Sequence, residues 1–114
     1  MHDESLFSTL ADDTLTRLFD ALEEVPEAAF DVDLQEGILT IEMENGGEYV
    51  INKNASVRQI WVSSPVSGAH HFDHDEDSGV WRTTRADAEG KKVTLGALLS
   101  RELSVAGAGA LPNV

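Results

Sequence analysis

FDVDLQEGILTIEMENGGEYVIN, residues 30–52, is where the apolar period of the chain becomes two. Phe30, Val32 and Leu34 alternate with Asp31, Asp33 and Gln35, and Leu39, Ile41 and Met43 alternate with Thr40 and Glu42. Each run therefore carries one apolar and one wet face, as a half-buried strand requires. Glu36-Gly37 and Asn45-Gly46-Gly47 read as the turns between them. RQIWVSS (residues 58–64) continues the pattern with Ile60 and Val62 inward and Gln59, Trp61 and Ser63 outward, Ser64-Pro65 and Ser67-Gly68 turn the chain again, and VWRTTR after Gly79 is a further short strand. The stretch predicts an antiparallel meander with one face in water.

Helical periodicity flanks the meander. Over residues 3–25, Leu6, Phe7, Leu10, Leu15, Leu18, Leu22 and Val25 form an apolar stripe, and Pro26 ends the helix. Asp12, Asp13, Asp20, Glu23, Glu24 and Glu27 project from the opposite side, with Arg17 as the offsetting cation. VTLGALLSREL (residues 93–103) predicts a second helix with Thr94 as N-cap and Leu95, Leu98, Leu99 and Leu103 as its stripe, despite Gly96. The expected fold is α+β: a two-layer αβ sandwich with both helices on one face of an antiparallel sheet of five to six strands. A single domain over residues 1–114 is expected, in which the Gly/Ala-rich tail 104–114 has no periodicity. Trp61 then falls on the solvent face, where a large aromatic is a candidate contact residue.

The chain has 114 residues and a formal charge of −13, from 21 acids against 8 Lys and Arg. That charge argues against nucleic acid and anionic membranes and favours cationic partners. With no cysteine, any metal is held by oxygen and imidazole alone. The acidic start, MHDESLFSTL, lacks the basic residues of a targeting peptide, so a bacterial cytoplasmic chain is expected, with a mature mitochondrial matrix protein as the alternative.

HHFDHDEDSG, residues 70–79, tempts a metal reading. Asp73, Asp75 and Asp77 have calcium-loop spacing, yet the glycine is Gly79 and the twelfth position is Thr84, so the turn and the bidentate glutamate are both missing. The stretch reads as a polar hairpin loop in which His70, His71 and His74 are at most adventitious ligands. Arg82, Arg85, Lys91 and Lys92 read as ordinary surface cations.

YVINKNASVRQIWVSSPVSG, residues 49–68, resembles the signature of the frataxin family. The HF-D element at His71–Asp73, Trp81 and the leucine-rich helix ending in REL follow in the family's order, and the acidic first helix precedes them. The connector NASVR departs from the resemblance by lacking the proline common in relatives. The resemblance implies an αβ sandwich that binds iron weakly and docks on the cysteine desulfurase and scaffold protein of iron–sulfur cluster assembly, as a regulator and iron donor. A binding protein rather than an enzyme is expected, with ferroxidase-like or iron-storage activity as the alternative. An acidic decoy for a basic protein is the third reading.

On this basis the expected metal residues are Asp12, Asp13, Asp20, Glu23, Glu24, Glu27, Asp31 and Asp33, whose hard oxygens suit Fe²⁺, Fe³⁺ and other divalent cations in weak, labile sites. The expected partner-binding residues are Asn52, Gln59, Trp61 and His71, with Glu23 and Glu24 from the acidic ridge. A monomer is expected, with iron-dependent oligomers as an alternative.

Overall fold

The computed structural model describes residues 3–86 and 90–114. Helix α1 (Glu4–Glu23) is followed by strands β1 (Phe30–Gln35), β2 (Ile38–Met43), β3 (Glu48–Asn54), β4 (Gln59–Ser64), β5 (Gly68–His74) and β6 (Trp81–Thr83), then α2 (Leu95–Leu103) and a 3-10 turn (Ser104–Ala106). The strands form one six-stranded antiparallel sheet in sequence order. Both helices contribute buried residues to a single cluster with the inner faces of the strands. This is the expected α+β layout, a two-layer αβ sandwich.

Local chemistry accounts for each element. Asp3 caps α1 by accepting from the Leu6 N–H at 2.7 Å, and Thr94 caps α2 by accepting from the Ala97 N–H at 3.2 Å. The buried seam of α1 is Phe7, Ala11, Thr14, Leu15, Leu18 and Leu22. Leu6 departs from the expected stripe and is exposed, because it is rotated by about 100° from Phe7. Val25 lies beyond the helix end and is half-buried. The Glu36-Gly37 turn has φ of 52° and 78°, the double left-handed geometry of a two-residue hairpin.

A further sequence expectation is corrected. The stretch 70–79 is not all hairpin loop: residues 70–74 belong to β5, and the turn that follows is closed by the Asp75 N–H donating to the Val80 carbonyl at 2.8 Å. The tail without periodicity is packed. Val114 is buried and its carbonyl accepts from the Trp81 N–H at 2.6 Å, the Leu111 N–H donates to Ser100 Oγ at 3.0 Å, and Ala106 and Ala108 join the core. Gly96, which looked like a weakness in α2, is where the tail crosses: a Cβ there would collide with the Pro112 carbonyl oxygen.

Candidate functional site

The outer face of the sheet carries the uncharged candidates together. Strand parity puts Asn52, Gln59, Trp61 and His71 on this face, with Asn52 paired to Trp61 and Trp61 to His71 in register. Trp61 and His71 stack with ring centroids 4.3 Å apart and planes 12° from parallel. The Trp61 Nε1–H donates to Gln59 Oε1 at 2.9 Å, and Gln59 Nε2 donates to Asp73 Oδ1 at 3.1 Å. Gln59 is therefore committed to holding the tryptophan. Ile38, exposed and paired to Asn52, extends the row to Ile38–Asn52–Trp61–His71, a flat platform held in place before any contact.

The acidic candidates lie on two surfaces. Asp12, Asp13, Asp20, Glu23, Glu24 and Glu27 are exposed. Asp13, Asp20 and Glu24 run along one line of α1, with about 10 Å of rise between the first two. Asp12 is set apart, since Lys53 Nζ reaches its carboxylate at 2.9 and 3.0 Å. The expected Arg17 offset is replaced by this Lys53 pair; among the described residues Arg17 makes no ion pair. Asp31 and Asp33 point away from the helices, and Asp31, Glu42 and Glu48 form a cross-strand row of like charge. A cleft of about 250 Å³ at the end of α1 is where the surfaces meet, lined by Glu23 and Asp31. Among the described residues no three His, Asp or Glu side chains gather into a group that could hold a metal, so the acids form an open surface rather than a cage.

The histidines divide by parity. His71 faces outward, whereas His70 and His74 share the inner face of β5 with Phe72. His74 packs edge-on to Trp81 at 5.0 Å, and His70 Nε2 lies 2.8 Å from Ser67 Oγ. Alternation sends neighbouring side chains to opposite faces, so His70, His71 and His74 do not converge on one ion.

Sequence reading missed Glu102, which α2 buries beneath the β4–β5 turn. Its carboxylate accepts from Tyr49 Oη at 2.8 Å, Ser64 Oγ at 2.6 Å and Ser67 Oγ. Burial alone raises its pKa, but the hydroxyls of Ser64, Ser67 and Tyr49, with His70 nearby, outweigh it and hold the carboxyl below its ordinary value. Burial and the same contact push Tyr49 up to about 12. Ser67 beside His70 is not a nucleophile and base: the serine proton goes to Glu102, so the hydroxyl meets the imidazole as acceptor, the reverse of the polarity that catalysis needs. A hydrophilic residue at a helix stripe edge, with serines in a distant turn, was the only signal available.

Residues 1–109 match the sequence model of the frataxin-like domain. An iron–sulfur cluster assembly protein CyaY of Pseudomonas aeruginosa is 43% identical over 91 residues, spanning 74% of this chain and 79% of that protein. A mitochondrial frataxin homologue of Schizosaccharomyces pombe is 39% identical over 102 residues, 86% of this chain and 61% of that longer protein. Among solved structures, frataxin of Psychromonas ingrahamii superposes with a TM-score of 0.77 at 25% identity, covering 99% of both chains. Trimeric yeast frataxin of Saccharomyces cerevisiae, complexed with ferrous iron, superposes at 0.72 with 36% identity over 94% of this chain and 88% of that one. The fold and its charge thus define an acidic two-layer αβ-sandwich protein. The chain belongs to the frataxin family.

Proposed function

We propose that this chain acts in iron–sulfur cluster assembly, binding iron weakly at the acidic surface of α1 and β1. In this reading it docks through the Trp61 platform on a cysteine desulfurase and its scaffold protein, as regulator and iron donor. The names of its bacterial relative and of the ferrous yeast structure support the reading. A bacterial cytoplasmic location, with the mitochondrial matrix as the alternative, goes with this reading, since the relatives come from bacteria and from mitochondria; among the described residues no helix is long and apolar enough to cross a membrane.

The observation that carries the reading is where the acids sit. Asp20, Glu23 and Glu24 crowd the C-terminal end of α1, whose last turn holds no basic residue, and among the described residues none of the three makes an ion pair. A carboxylate there opposes the helix dipole at a cost of about 0.3–1 kcal/mol each. Stability alone would not select that arrangement, and a bound cation relieves it.

Fe²⁺ under anaerobic conditions should therefore stabilise the protein against heating beyond the effect of matched ionic strength, by about 1.4 kcal/mol at ten times the Kd. The Asp20→Lys/Glu23→Lys/Glu24→Lys variant should melt higher than wild type without metal and lose the iron-dependent rise. An undiminished rise in that variant contradicts the assignment.

A further inference from the structure

We propose that a groove between β5, β6 and α2 is a binding site for a small multivalent oxyanion, a phosphate- or polycarboxylate-bearing molecule held by Arg85 and Arg101. Two adjoining cavities, of about 260 and 150 Å³, share His70, Thr83 and Arg85 in their walls. The smaller adds Lys91 and Arg101 over an apolar floor of Val93 and Leu98. No described residue lining either cavity is acidic, on a chain with 21 carboxylates. The clefts beside α1 are lined instead by Asp12 and Glu36 or by Glu23 and Asp31.

Two further observations point to a ligand. With acids so abundant, cations are expected to be paired, as Lys53 is with Asp12 and Arg82 with Asp75. Among the described residues Arg85 and Arg101 make no ion pair. Two guanidinium forks flanking one concavity match the geometry of carboxylate and phosphate oxygens. Thr83 is only 7% exposed, and its Oγ1 accepts from the Val93 N–H at 3.1 Å while its own proton has no partner among the described residues. A buried donor left open in the wall of a cationic groove is satisfied by an anion's oxygen. The molecule's negative field repels anions elsewhere, so only a local site of this kind retains one.

Amide chemical shifts should be followed while the metal-free protein is titrated with pyrophosphate and, separately, with citrate, with sodium chloride adjusted to constant ionic strength. The expected result is saturable shifts at Thr83, Val93 and Leu98 with a Kd of about 1 mM or tighter, weakened about tenfold or more in Arg85→Gln/Arg101→Gln and retained in Arg17→Gln. Saturation by both anions assigns the shared oxyanion chemistry, and saturation by one identifies which source the groove takes. Linear, unsaturated shifts with both, or saturation that survives the double substitution, overturns the proposal.

Discussion

Glu102 shows how one side chain can organise a turn 35 residues away. It accepts from three hydroxyls, and Ser64 Oγ in turn accepts from the N–H groups of Val66 and Ser67, so the carboxylate and Ser64 hold the β4–β5 turn together. Glu102→Ala leaves those hydroxyls without their acceptor and should cost about 3 kcal/mol in urea unfolding. The pH dependence follows from the lowered folded pKa. Its contribution is complete above the ordinary value near 4.5 and is lost as pH falls through the folded value. Glu102→Gln should therefore flatten stability against pH on the acid side, and a variant with an unchanged acid limb would contradict this role. Glu36 offers the opposite case, a residue that strains its site. It sits at a φ of 52° beside Gly37, and Asn accepts that conformation more readily. Glu36→Asn should raise stability by about 0.5 kcal/mol, read as a higher urea midpoint with unchanged slope.

At the scale of elements, α2 and the tail are one packed unit. Gly96→Ala would gain about 1 kcal/mol of helix propensity in isolation. Because its methyl collides with the Pro112 carbonyl oxygen, the substitution should instead destabilise by about 1–3 kcal/mol. Removing residues 112–114 from that variant should recover the propensity gain relative to the same truncation of the parent. The period of two made the strands legible, and the apolar stripes made the helices so, because those patterns are local. Parity placed Asn52, Gln59 and Trp61 on one face for the same reason. The tail, the Glu102 cluster and the Lys53–Asp12 pair were not legible: each joins segments between 11 and 53 residues apart through contacts that only the fold creates. The split of His70, His71 and His74 was hidden by their polarity, which suggested a loop where alternation along β5 continues.

Under the proposed function, the whole molecule separates long-range from short-range recognition. Its acids form open surfaces on α1 and β1, while the Ile38–Asn52–Trp61–His71 row gives an uncharged platform on the outer sheet face. Open carboxylates act through the field, which sets encounter rate and salt dependence. A stacked, prepositioned tryptophan acts at contact, which sets the lifetime of a complex. The proposed docking therefore makes two separable predictions for purified cysteine desulfurase and scaffold protein, measured as association and dissociation rates at low and high salt. Glu23→Lys/Glu24→Lys should slow association and make the remaining affinity less salt-sensitive. Trp61→Ala, shown first to melt near wild type, should leave association almost unchanged and speed dissociation about thirtyfold, a loss on the order of 2 kcal/mol. A folded Trp61→Ala protein that leaves the complex no faster than wild type would contradict the account.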